Sequence, residues 1–92
     1  MMRIKPVGTS IVIEQIDLAK NSSALVIKSA NETVFTAEIV AVSDHLMDSG
    51  FKLNDFDTII YVGKSVDTPV KGHYIIDAEQ IIGVITYDEE GN

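Results

Sequence analysis

Isoleucine and valine make up a quarter of this chain, 13 and 10 of its 92 residues, against 4 leucines and 6 alanines. Branching at Cβ narrows side-chain freedom in a helix and packs well on a pleated sheet. No window carries a long run of Ala, Leu, Glu and Lys, so the composition predicts an all-β domain. The length fits one compact unit spanning residues 1–92, with no room for a second domain or a large enzyme scaffold. A core this small is marginally stable, and with zero cysteines neither a disulfide nor a zinc–thiolate site can staple it. Oligomerisation is the remaining common remedy.

Fourteen acidic residues against seven basic ones give a net charge of −7. That balance repels phosphate backbones and anionic membrane surfaces, so neither nucleic acid nor membrane is expected as a partner. Apolar runs stop at three or four residues, far short of the roughly 20 that span a bilayer. The opening Met1-Met2-Arg3-Ile4-Lys5-Pro6 has no hydrophobic signal region, and a cytoplasmic location is the expectation.

Strands are predicted at Ser10–Ile16, Val34–Val42, Thr58–Val62, Tyr74–Ile76 and Ile81–Tyr87. Ile11-Val12-Ile13 is apolar at consecutive positions and should be covered on both faces. Asp77-Ala78-Glu79-Gln80 suits a turn. Arg3–Val7 reads as a short edge strand, because Pro6 is tolerated only where no partner needs its amide. Short strands at this spacing suggest a small barrel.

Two stretches break the strand pattern. From about 17 to 33, small polar residues flank the triplet Leu25-Val26-Ile27. Loops longer than about 12–15 residues are usually functional or disordered. The triplet could be another buried strand, but its flanks offer little apolar surface to hold it down, so the segment reads as a flexible loop carrying an apolar bait. From Ser43 to Phe56, Asp48-Ser49-Gly50 is a turn signal between Leu46-Met47 and Phe51-Lys52-Leu53, read as a short hairpin dispensable for assembly.

Catalytic chemistry is thin. Ser43-Asp44-His45 has the letters of a triad, but adjacent residues cannot generally form the nucleophile–base–orienter relay. Asp44, His45 and Asp48 lack a second histidine or a thiolate for a metal, and a solvated acidic turn is the simpler reading. No phosphate-binding glycine run occurs. The expectation is a non-enzyme without cofactor. Lys28 and Lys71 stand near apolar residues and define the alternative, a biotin- or lipoyl-type carrier modified on lysine. Exposed lysine is the simpler account of both. Asp88-Glu89-Glu90-Gly91-Asn92 reads as a solvated tail.

The ordered segments are Ile4-Lys5-Pro6, Ile11-Val12-Ile13-Glu14, the loop with its triplet, Ala37-Glu38-Ile39-Val40-Ala41-Val42, Asp57-Thr58-Ile59-Ile60-Tyr61, Tyr74-Ile75-Ile76 and Glu79-Gln80-Ile81-Ile82-Gly83-Val84-Ile85. From about Ile4 to Ile85 this succession resembles the co-chaperonins of the GroES family, through the ordered set and not through one motif. The resemblance implies a small irregular β-barrel with a long mobile loop and a short roof hairpin. It implies seven copies in a ring-shaped lid that closes the cavity of an ATP-driven, GroEL-type chaperonin around an unfolded client protein.

Position by position, Leu25, Val26 and Ile27 match the aliphatic tripeptide that binds the chaperonin. Arg3, Ile4, Lys5, Pro6 and Val7 match the strand that pairs with a neighbour's carboxy-terminal strand, here Ile82, Gly83, Val84, Ile85 and Thr86. The roof would be Leu46, Met47, Asp48, Ser49, Gly50 and Phe51. Ser23-Ala24 stands where the family commonly has two glycines, and Phe56 precedes Asp57 where glycine is usual. Phage-encoded members also have reduced roofs; for such a member the host cytoplasm would be the compartment.

Overall fold

The computed structural model describes residues 2–16 and 34–86. Within them the order is β1 (Ser10–Gln15), β2 (Val34–Val42), α1 (Asp44–Asp48), β3 (Thr58–Val62), β4 (Val66–Asp67), β5 (His73–Asp77), a 3-10 turn at Ala78–Gln80 and β6 (Ile81–Ile85). All pairings are antiparallel, in one sheet ordered β4-β5-β1-β2-β3-β6. The all-β expectation holds, and β2 and β3 have the bounds that the apolar pattern predicts.

Alternation along these strands builds one core face. Ile11 and Ile13 of β1 register with Ile76 and Tyr74 of β5. Ile13 also faces Ile39, and Ala37 faces Ile59. Ile11, Ile13, Ala37, Ile39, Ile59, Tyr61 and Ile76 are buried together, and Leu46 of α1 joins them. Apart from this one-turn helix no second layer covers the face among the described residues, so the sheet must bend around its own side chains. Three irregularities supply bending: Val40 is extra between the Val12–Ala41 and Ile13–Ile39 pairs, Ile82 is extra opposite β3, and Phe56 and Asp57 together oppose Ile39. No ladder joins β4 to β6 among the described residues, which leaves these two strands as the sheet's edges.

Val12 points to the other face yet is only 1% exposed, beside Ile11 and Ile13 at 0%, so β1 is covered on both sides as its consecutive apolar residues require. Residues 2–6 run beside Val12 and Val40–Val42. They form no strand, a correction to the edge strand expected at Arg3–Val7. Backbone pairing needs a free partner edge, and here the flanks of β1 and β2 are already paired on both sides. Pro6 is buried, and the segment is held by its side chains instead of a ladder.

A second correction concerns Ser43–Phe56, where a short hairpin was expected and the chain forms α1. The Ser43 hydroxyl accepts from the Leu46 amide at 3.2 Å and so caps the helix. At the other end the Phe51 amide donates to the Leu46 carbonyl at 3.0 Å and the Gly50 amide to the Met47 carbonyl at 3.3 Å. That pair of bonds around a left-handed glycine, φ +94 at Gly50, is the Schellman arrangement. Its apolar contact is present too: Leu46 is buried, and Phe51 and Leu53 pack on the same cluster.

Candidate functional site

The expected chaperonin-binding residues Leu25, Val26 and Ile27 lie outside the described residues, as does Lys28. What the structure describes is their attachment. The Ile16 amide donates to the Thr36 carbonyl at 3.3 Å, and the Thr36 hydroxyl donates to the Ile16 carbonyl at 2.9 Å. These bonds close the β1–β2 ladder just before residue 17, so segment 17–33 begins and ends on neighbouring positions of two central strands. Below this point the frame is closely packed. Tyr61 is fully buried, its hydroxyl accepts from Gln15 Nε2 at 2.7 Å, and its ring lies 5.4 Å from that of Phe35.

The expected interface residues divide between two surfaces. Ile82–Ile85 belong to β6, which among the described residues pairs only with β3 and so forms a sheet edge, where Ile82 is 58% and Val84 42% exposed. Thr86 follows it, exposed. Arg3–Pro6 form one wall of a groove whose other wall is β1 and β2, with Lys5 reaching Asp44 at 3.4 Å, while Val7 stands exposed outside it. Both partners of that ion pair are well exposed, so it contributes little. The two surfaces are not brought together within the chain.

The roof residues are redistributed by α1. Leu46 is core, Phe51 packs against the core, Met47 is half exposed, and Ser49 closes the helix, its hydroxyl donating to the Leu46 carbonyl at 2.9 Å. Phe56, two residues before β3, has φ +75 and is 77% exposed. The Asp57 amide returns to the Asn54 carbonyl at 3.2 Å, which makes Phe56 the third residue of a turn that ordinarily takes glycine. The departure noticed at this position is therefore a conformational one.

Lys71 stands at the tip of the β4–β5 hairpin. The His73 amide donates to the Val70 carbonyl at 3.0 Å, and Gly72 has φ +84. Among the described residues no three His, Asp or Glu side chains gather as a metal set, and no helix is long and apolar enough to cross a membrane.

Sequence reasoning missed the polar joint that ties β5 to β6. Asp77 caps the 3-10 turn: its carboxylate accepts from the Thr9 hydroxyl and from the Glu79 amide at 2.8 Å. Gln80 Oε1 accepts from the Asp77 amide at 2.9 Å, while Nε2 donates to the carbonyls of Val62 and Lys64 at 2.8 and 2.9 Å. The bond from Thr9, then that from Glu79, holds the Asp77 carboxyl below its usual range. An Asp followed three residues later by Gln is the signal that could have found this capping box. No protein-family model matches the chain, and no curated protein does.

Proposed function

We propose that this chain is a co-chaperonin of the GroES type: a small β-barrel that assembles into a ring, binds an ATP-driven chaperonin through Leu25-Val26-Ile27 and closes its cavity over a folding client. The observation that carries this reading is the attachment of segment 17–33. A seventeen-residue excursion holding one aliphatic triplet leaves from and returns to a clamped point between the two central strands. A projecting binding segment needs such an anchor. The ring is supported by the β6 edge, which has no second partner strand among the described residues and exposes Ile82 and Val84, since open apolar edges call for a partner strand. Closure into a barrel is supported by the bulges and by the single buried face.

Magnitudes set the form of the binding. Burying three aliphatic side chains contributes about 1.5–3 kcal/mol each, while ordering backbone costs about 1–2 kcal/mol per residue. One segment therefore binds near balance, and several copies acting together raise the avidity by orders of magnitude. Val26→Asp is expected to abolish chaperonin binding while ring mass stays unchanged, because each copy would place an unpaired charge in an apolar groove. Undiminished chaperonin binding by that variant would remove the triplet from the account.

The second reading is the lysine carrier, favoured by the place of Lys71 at a tight hairpin tip. Intact mass after expression beside active biotin and lipoyl ligases separates the two, since a carrier gains a discrete prosthetic mass and a lid does not.

A further inference from the structure

β3 and β6 lie at one end of the sheet and β4 and β5 at the other, yet the chain passes between the two ends twice, each time through three residues. Gly63-Lys64-Ser65 leads from β3 to β4, and Ala78-Glu79-Gln80 leads from β5 to β6. In an unrolled sheet each passage would cross four strand spacings, about 19 Å. Four Cα steps reach about 14 Å when fully extended, and the second passage is coiled into a 3-10 turn besides. The sheet is therefore rolled, with its two ends close together where these passages run. They meet with an offset along the strands: Asp77 registers with Ser10 at the start of β1, and Ile81 registers with Tyr61 near the end of β3. Rolling a sheet requires such a stagger.

At this meeting point no ladder joins the two ends among the described residues. A side chain bridges them instead. Gln80 Nε2 donates to the Val62 and Lys64 carbonyls at 2.8 and 2.9 Å, which engages both of its hydrogens, and Oε1 accepts from the Asp77 amide at the end of β5 at 2.9 Å. Thr9, just before β1, is tied to the same point by its hydroxyl on the Asp77 carboxylate and by its carbonyl, which accepts from the Ala78 amide at 2.9 Å. Glycine at 63 leaves room for the bridge, since a Cβ there would stand 3.0 Å from Nε2.

We propose that the Gln80 amide is a latch that holds the two ends of the rolled sheet together in place of a ladder, and that the sheet opens at this seam separately from the β1–β2–β3 frame. Burial separates the two regions. Ile13, Ile39 and Ile59 in the frame are fully buried, whereas Val66 and Ile82 beside the seam are mostly exposed. Segments with few buried apolar contacts open at lower free energy than the core. The latch does not depend on a ring or a chaperonin. In the assembly proposed above it would also fix the attitude in which β6 offers Ile82 and Val84.

Amide hydrogen exchange on the full chain, read residue by residue at one protein concentration, tests the latch. Gln80→Met keeps the side-chain length and removes the amide; Gly63→Ala keeps Gln80 and displaces its amide. Each should speed exchange in β6 and in the β4–β5 pair about tenfold, the scale of losing two ordinary hydrogen bonds. Combined, they should fall short of the product of the single effects, because both act on one group. Ile39→Val, in the frame, should speed exchange of the β1–β2 ladder severalfold and leave β6 and the β4–β5 pair near their wild-type rates. Should Gln80→Met fail to fold, Gly63→Ala against Ile39→Val carries the same contrast. Unchanged exchange of β6 and the β4–β5 pair in the seam variants would overturn the latch. Equal acceleration of every amide by Ile39→Val would overturn the separate opening.

Discussion

Phe56 holds a backbone conformation that costs an L-residue about 1–2 kcal/mol, and with a side chain 77% exposed it recovers little by packing. Glycine would relieve the strain but add about 0.5–1 kcal/mol of unfolded-state entropy. Phe56→Gly should therefore stabilise the fold by roughly 0.5–1 kcal/mol, read as a higher urea midpoint at unchanged slope; a lower midpoint would show that the ring is bound to something. Gly63 is the opposite case. It has φ +89, and a Cβ there would stand 3.0 Å from Gln80 Nε2, which already serves two carbonyls. Gly63→Ala should cost about 1–3 kcal/mol through backbone strain and displacement of that amide.

Asp77 gives a pH dependence with a definite sign. Its folded pKa lies below the unfolded value, so its contribution to stability is complete above about 3.9 and is lost as pH falls through the depressed folded value. Thr9→Val removes the largest cause of that depression. The stability gap between wild type and Thr9→Val should be open near neutrality and should narrow as acid protonates Asp77. A gap that is constant with pH, measured by urea unfolding, would show that the hydroxyl acts only by packing.

At the scale of elements, α1 changes what the segment before β3 can be asked to do. Ser43 is fully buried, caps the helix and donates to the Gly8 carbonyl at 2.6 Å, so Ser43→Ala should cost about 1–2 kcal/mol. A hairpin would have been dispensable; the helix, with Leu46 in the core, is expected not to be. Replacing Leu46–Leu53 with a two-residue turn removes a buried leucine and two packed neighbours from the core. Loss of one such side chain typically costs about 2–5 kcal/mol. That deletion should unfold or severely destabilise the chain in thermal melts, whereas a near-normal melting temperature would restore the hairpin's dispensability.

The strands were legible because their apolar runs are sharply bounded. Val34–Val42 and Thr58–Val62 follow from β-branched runs ended by Ser43 and Gly63. The helix was not, since Asp48-Ser49-Gly50 serves equally as a hairpin turn and as a helix C-cap. The cap at Ser43 and the return of Phe51 to Leu46 decide between them, and what favours them, the burial of Ser43 and Leu46, is a tertiary fact. Val66–Asp67 is too short for periodicity to register. The proposed binding triplet was legible as an anomaly in composition, and the described structure adds only the clamp from which its segment departs.

At the scale of the whole molecule, three features point the same way: a small core without a staple, an apolar β6 edge and an amino-terminal segment 2–6, the last two without a further ladder among the described residues. Each is costly in an isolated chain and useful in an assembly. Removing Met1–Pro6, or ending the chain before Ile81, should dissociate the assembly. The most direct measurement is mass by light scattering on the purified protein, alone and with a GroEL-type chaperonin, with and without ATP. The expected result is about seven chain masses alone, and a complex with the chaperonin that forms only with nucleotide and disappears in Val26→Asp. A monomer at every concentration, with no mass shift on adding chaperonin and ATP, would contradict the co-chaperonin account.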